Sequence, residues 1–139
     1  MVLKKEVPME QSSKHFRKRV AILACVKATD VHPSADWVYE TLRQQMPDIS
    51  LATVYRNLAL FKQQGEIISL GTVGGTERFD GNTAPHVHFI CSGCDAVIDL
   101  PQIQVPQSLS GQAAGQIGGK VDTCHLTFTG FCSRCHENN

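Results

Sequence analysis

Ser50-Leu51-Ala52-Thr53-Val54-Tyr55-Arg56-Asn57-Leu58-Ala59-Leu60-Phe61-Lys62-Gln63-Gln64-Gly65 reads as one helix with both of its ends marked. A serine hydroxyl can accept from the free N–H groups of a first turn, and glycine tolerates the left-handed conformation that closes a helix. Leu51, Val54, Leu58 and Phe61 recur at three-to-four spacing and define a buried face. That places Ala52, Thr53, Tyr55, Arg56 and Asn57 on or near the exposed side of the first turns.

Two more helices precede it. From about Ser12 to Ala28, Phe16, Val20, Leu23 and then Ala24 or Lys27 recur at helical spacing, with Lys14, Arg17, Lys18 and Arg19 mostly opposite. The eleven residues before Ser12 read as a tail. Pro33 disfavours helix in the residue before it, so Thr29–Pro33 is a break, after which Ser34 can cap a second helix. Ala35, Val38, Tyr39, Leu42 and Met46 form its apolar stripe, Trp37 lies near the edge, and the helix stops before Pro47. After Gly65, Glu66–Leu70 and Thr76–Asp80 flank Gly74-Gly75, a hairpin with a permissive turn.

Three helices and a hairpin in this order predict a winged helix-turn-helix. In that fold the third helix enters the major groove and the wing touches the backbone. Arg56 can reach guanine or phosphate, Asn57 can pair with adenine, and Thr53 and Tyr55 complete the candidate DNA-binding set. The bland reading of the same residues is a solvated helix face.

Formal net charge is zero, but it is unevenly spread. Through Gly65 ten Lys/Arg stand against six Asp/Glu, and beyond it three stand against seven, giving about +4 and −4. A basic first half suits nucleic acid, and an acidic second half suits cations. With no apolar run of membrane-spanning length and no signal-peptide pattern at the N-terminus, the expectation is a soluble cytoplasmic protein with no membrane partner.

The second half is organised by His86-Val87-His88-Phe89-Ile90-Cys91-Ser92-Gly93-Cys94. Cys91 and Cys94 have knuckle spacing, and Cys132 and Cys135 repeat it near the C-terminus. In a reducing compartment paired C-x-x-C motifs are thiolate ligands before they are disulfides, so the four cysteines predict a structural Zn2+. Disulfides or buried free thiols are the alternatives. Cys25 fits neither pair and reads as a buried thiol on an apolar helix face; Cys124 has no assigned role. Val87–Cys91 and Ala96–Leu100 predict a hairpin around the first knuckle, Val105–Ile117 at most a weak helix, and Lys120–Gly130 a third strand. Such a sheet, with one open face, predicts dimerisation. The expected architecture is α+β, with a winged-helix DNA-binding domain over 1–80 and a small α/β dimerisation and metal-binding domain over 81–139.

His86 and His88 lie on one face of their strand. Asp80 is close in sequence, Asp99 returns on the next strand, and His32 sits in an exposed loop of the first half. These three imidazoles and two carboxylates predict a second site for a divalent ion, iron, manganese or zinc. One ligand from the first half and four from the hinge and second half would make the ion a clamp, stabilising the closed geometry by mass action.

His32-Pro33-Ser34-Ala35-Asp36, Ala52-Thr53-Val54-Tyr55-Arg56, Arg78-Phe79-Asp80, the H-x-H and C-x-x-C block and the final C-x-x-C together resemble the ferric uptake regulator (Fur) family of bacterial metal-dependent repressors. The resemblance runs from about Ser12 to Cys135. It implies a homodimer on double-stranded promoter DNA, a structural zinc on Cys91, Cys94, Cys132 and Cys135, and sensory ligands at His32, Asp80, His86, His88 and Asp99. Aspartates at 80 and 99, where iron sensors usually carry glutamates, resemble the peroxide-responsive (PerR) branch. That implies Fe2+ or Mn2+ in the regulatory site and hydrogen peroxide as the small-molecule signal. The positions matching the oxidised histidines are His32 and His86.

Two departures sharpen the expectation. Pro85 and Val87 flank His86 where many relatives place ligands of a further site, so His125 is expected to ligate nothing. The Gly-rich 101–119 segment departs from the usual helix. The competing readings are an iron or zinc concentration sensor of the same fold, a metalloenzyme, and a zinc-ribbon interaction module without DNA binding. The second lacks a nucleophile or general base beyond the ligands.

Overall fold

A computed structural model describes residues 9–137, and two compact units divide it, the first running through Thr83 and the second beginning at Ala84.

The first unit consists of α1 (Met9–Ala28), α2 (Ala35–Leu42), α3 (Leu51–Gln63) and the strands β1 (Ile68–Val73) and β2 (Thr76–Asp80), a winged helix-turn-helix. α1 starts before Ser12, and residues 1–8 of the expected tail lie outside the described part. Its buried face also differs from the expected one. Phe16 and Val20 are 66% and 50% exposed, whereas Ile22 and Val26 are fully buried, with Ala21, Leu23 and Cys25 packed beside them. Helical spacing runs through both stripes, and only the C-terminal turns of α1 reach the core. Burial there pushes the Cys25 thiol pKa up.

α2 begins where Ser34 Oγ accepts from the Trp37 N–H at 3.2 Å. It ends at Leu42, earlier than expected, and a turn in which the Met46 N–H donates to the Leu42 carbonyl (2.8 Å) keeps Met46 in the core. α3 is capped by Ser50 Oγ, which accepts from the Thr53 N–H at 3.1 Å. At its far end Gly65 takes φ +75, the Glu66 N–H donates to Phe61 O (2.9 Å) and the Gly65 N–H to Lys62 O (3.2 Å), a Schellman closure. β1 and β2 are antiparallel with Val73 opposite Thr76, and Gly74 and Gly75 both have positive φ, as a two-residue hairpin turn of this hand requires. The core joins Ile22, Val26, Val38, Leu42, Val54, Leu58, Phe61, Ile67 and Phe79.

The second unit is a three-stranded sheet in the order β4-β3-β5, with β3 Val87–Cys91, β4 Val97–Leu100 and β5 Thr127–Gly130. β3 and β4 form the expected hairpin, with His88 directly opposite Asp99. The expected strand over Lys120–Gly130 is reduced to Thr127–Gly130 and lies parallel to β3. Alternation alone does not make a strand; only these last residues find a ladder partner. The parallel pairing needs a crossover, and α4 (Gln107–Ile117) lies within it, an 11-residue helix where the glycines suggested at most a weak one. A short helix α5 (Ser133–Glu137) ends the described chain.

This unit buries few large apolar side chains, chiefly Val87 and Val97. Ile98 and Phe128, both in register with Phe89, are 42% and 44% exposed. A sheet this small with so little core needs a further cross-link or a partner.

Candidate metal centres and DNA-reading helix

The cysteine centre is built on the end of β3. Cys91 is fully buried, and the turn after it closes through the Asp95 N–H donating to Cys91 O and the Cys91 N–H to Ala96 O, both 2.9 Å. That turn presents Cys94. The Ser92 N–H donates to Gly130 O at 2.7 Å, which brings the end of β5, and so Cys132 and then Cys135 on α5, alongside. All four Sγ atoms lie within 4.8 Å of one another. Cys94 and Cys132 are 3.8 Å apart, too far for a disulfide. Four bonds of about 2.3 Å in a tetrahedron place sulfurs roughly 3.8 Å apart, so the donor set fits zinc.

The electrostatics agree with a cation at the centre. Cys91 Sγ accepts from the N–H groups of Cys132 and Gly93, both at 3.3 Å. The Cys132 bond, foremost, brings the Cys91 thiol down to about 6. Cys132 is also lowered, by its backbone hydrogen bond with Cys135. Cys135, beside Cys91 and Cys132, is pushed up to about 12. Protein hydrogen bonds thus favour some of the thiolates, and a divalent ion held by all four sulfurs would supply the positive charge that the others lack.

Gly93 is required by packing. A Cβ there would lie 2.8 Å from both Cβ and Sγ of Cys135. Gly93→Ala is therefore expected to push Cys135 outward and weaken zinc retention by about 10-fold, the lower end of what disturbed ligand support costs. Competition with a chromogenic chelator measures it, and unchanged retention would contradict the packing argument.

Of the mixed histidine and carboxylate donors, His32 and Asp80 belong to the first unit and His86, His88 and Asp99 to the second. In the first unit His32 is 3% exposed in the loop between α1 and α2, with φ +55. Its Nε2 lies 3.4 Å from Oδ2 of Asp80, the buried last residue of β2. Asp80 Oδ1 accepts from the Asn82 N–H at 2.8 Å, which orients the carboxylate.

In the second unit the rings of His86 and His88 stand 4.2 Å apart between centroids. Both Nε2 atoms point to one oxygen, Oδ1 of Asp99, at 3.3 and 3.2 Å. His86 Nδ1 is 2.7 Å from the Ala84 carbonyl, which can only accept. Nδ1 is therefore the donor to Ala84, which leaves Nε2 as the ring nitrogen aimed at the carboxylate and available to an ion held there. These nitrogen and oxygen donors can hold a divalent ion such as iron or manganese.

On α3, Tyr55 and Arg56 are exposed, and Thr53 and Asn57 are half-buried. Thr53 Oγ1 lies 2.9 Å from Ser50 Oγ and accepts from Arg56 Nη2 at 3.2 Å. Asn57 Nδ2 donates to Thr53 O at 2.9 Å, a bond to its own helix. Tyr55 and Arg56 are exposed to solvent, with Arg56 hydrogen-bonded to Thr53, whereas Thr53 and Asn57 help shape the first turn. Sequence reasoning missed the role of Arg78: from β2 its guanidinium donates to the carbonyls of His32 and, at 2.7 Å, Val31. Its place beside Phe79 and Asp80 in a recognised motif was the only available signal.

Comparison with known proteins agrees with this geometry. The chain is 34% identical over 122 residues to the peroxide-responsive repressor PerR of Staphylococcus aureus (strain USA300), covering 86% of this chain and 80% of that protein. It superposes on the ferric uptake regulator of Francisella tularensis with iron at a TM-score of 0.70 and 26% identity, over 98% of each chain. The Campylobacter jejuni peroxide stress regulator shares the fold at a TM-score of 0.76 and 24% identity, over 94% of this chain and 100% of that one. The ferric uptake regulator profile matches residues 10–129, from α1 to β5. Proteins of this kind are metal-dependent, DNA-binding dimeric regulators of transcription and not enzymes. With the profile spanning both the winged helix and the cysteine-bearing sheet, the chain belongs to the ferric uptake regulator family.

Proposed function

We propose that this chain is a homodimeric repressor that holds promoter DNA while a regulatory Fe2+ or Mn2+ is bound and releases it when hydrogen peroxide oxidises a ligating histidine. The observation that carries the reading is the convergence of His86 and His88 Nε2 on Asp99, with the His86 tautomer set by Ala84. Together with His32 and Asp80, these residues would complete one coordination sphere of three imidazoles and two carboxylates. Cys91, Cys94, Cys132 and Cys135 would hold the structural zinc. The winged helix over 1–80 would read DNA through Thr53, Tyr55, Arg56 and Asn57, and 81–139 would dimerise through the open face of the sheet around Ile98 and Phe128. Such a repressor acts in the cytoplasm, where its promoters lie; no described helix is long and apolar enough to cross a membrane.

Ferrous iron held there would promote cleavage of the peroxide O–O bond, with peroxide as the net two-electron oxidant: one of its oxygens would pass to an imidazole carbon and the other would leave as water. His32 and His86, as ligands, would present oxidisable ring carbons beside it, and the carboxylates of Asp80 and Asp99 would hold the ion without being consumed. Adding one oxygen atom to an imidazole lowers its donor strength, and a site that binds both units loses the stabilisation it gave to the DNA-competent arrangement.

Iron-loaded protein treated with peroxide and mapped by tryptic mass spectrometry is expected to gain one oxygen on the peptides carrying His32 or His86, and to lose operator binding in parallel. No such mass gain, with binding that follows iron concentration alone, would favour a concentration sensor of the same fold. Separately, Arg56→Ala is expected to weaken metal-dependent DNA binding by roughly 10-fold, about 1–3 kcal/mol for a base-contacting arginine, with zinc content unchanged. Unaltered affinity would remove α3 as the reader.

A further inference from the structure

Arg78 lies on β2 two residues before Asp80, so the two side chains leave the same face of the strand. The guanidinium reaches off its hairpin to the loop between α1 and α2. Nε donates to the His32 carbonyl and Nη2 to the Val31 carbonyl at 2.7 Å, while the next residue on the strand, Phe79, donates its N–H to the Pro33 carbonyl at 2.9 Å. Three successive carbonyls of the α1–α2 loop are thereby held by two successive residues of β2. At the centre of the three sits His32, a non-glycine residue with φ +55.

A side chain bearing a Cβ adopts that backbone region at a cost and keeps it only where its surroundings demand it. Here the surroundings are the Arg78 fork and the Phe79 N–H. The left-handed turn at His32 leaves its Nε2 3.4 Å from Asp80. β2 therefore supplies one proposed ligand directly, as Asp80, and fixes the direction of the other through Arg78. Lysine could not substitute fully, because a single ammonium has no planar fork to span two carbonyls.

We infer that Arg78 is a positioning residue for the regulatory metal, holding His32 in the strained conformation from which it can ligate. The inference rests on the ligand set proposed above. Losing the fork lets the loop relax to negative φ, which turns the imidazole from Asp80, and the ion must then reorder the loop as it binds.

The test is Mn2+ affinity of the zinc-loaded full-length protein, read by electron paramagnetic resonance of the free ion, for Arg78→Ala, Arg78→Lys, His32→Ala and the double variant Arg78→Ala/His32→Ala. Thermal unfolding of each variant without Mn2+ monitors the fold, and Arg78→Lys carries the test if Arg78→Ala does not fold. Arg78→Ala is expected to weaken Mn2+ by roughly 10-fold, as supporting residues of ligands do, with Arg78→Lys in between. In the His32→Ala background the Arg78 substitution is expected to have no further effect, since the residue it positions is gone. Affinity within about two-fold of wild type in Arg78→Ala, or losses that multiply in the double variant, would overturn the positioning role while leaving the ligand set intact. Unchanged affinity in His32→Ala would overturn the ligand set itself, and the inference with it.

Discussion

Cys94→Ser is expected to release the zinc, unfold the second unit and abolish dimerisation. Serine offers no thiolate, and the remaining three sulfurs leave an open position in a site whose spacing, with Cys94 Sγ 3.8 Å from Cys132 Sγ, suits a closed tetrahedron. The consequence is large because the sheet has little else to hold it. Its fully buried apolar residues are Val87 and Cys91, and Cys91 is itself a ligand. Apparent zinc-binding energies of about 10–16 kcal/mol in small structural sites exceed what so small a core supplies. The first unit has its own core around Val26, Val38, Leu58 and Phe61 and is expected to melt as before. Metal analysis and sedimentation of the variant provide the check. One zinc per chain in an intact dimer would sink the structural-zinc reading.

The elements that sequence reasoning placed correctly are those whose signals are local. Ser50 and Gly65 bound α3 because capping and left-handed closure are made within one turn. Gly74-Gly75 placed the wing because that turn demands two residues with positive φ. The cysteine set was legible because thiolate spacing has few other uses, and the structure brings the four sulfurs together.

What was not legible depends on contacts made far along the chain. α1 carries two apolar stripes at helical spacing, and nothing local says that only Ile22, Val26 and their neighbours meet the core while Phe16 and Val20 stay in water. The alternation in Lys120–Gly130 extends beyond Thr127–Gly130, the part that pairs, because strand length is set by the partner β3. The hold of Arg78 on Val31 and His32 spans 47 and 46 residues, and no periodicity reports it. Asn57 shows the converse: a residue suited to adenine spends its amide on the Thr53 carbonyl, a use that residue type alone does not reveal.

Asp99→Ala separates the two centres most sharply. Both imidazole Nε2 atoms of the second unit's donor group lie within 3.3 Å of its Oδ1, so its removal takes away the one carboxylate of that group and its negative charge together. Asp99 is opposite His88 in the β3–β4 ladder, where alanine is tolerated by the strand, and it is not among the four cysteines of the other centre. Mn2+ affinity is therefore expected to fall by at least about 100-fold, the upper end of what even indirect support residues cost, while zinc content and dimerisation stay as in wild type. If, as proposed, bound ion stabilises the DNA-competent state by RT ln(1 + [M]/Kd), a 100-fold rise in Kd removes up to about 2.7 kcal/mol of that stabilisation at metal concentrations that saturate wild type. Operator affinity at fixed Mn2+ should fall accordingly and recover as Mn2+ is raised. DNA binding that recovers only with zinc, or Mn2+ affinity that does not change, would mean that the paired histidines and Asp99 are not the regulatory ligands, and that the sheet face bearing them serves another purpose.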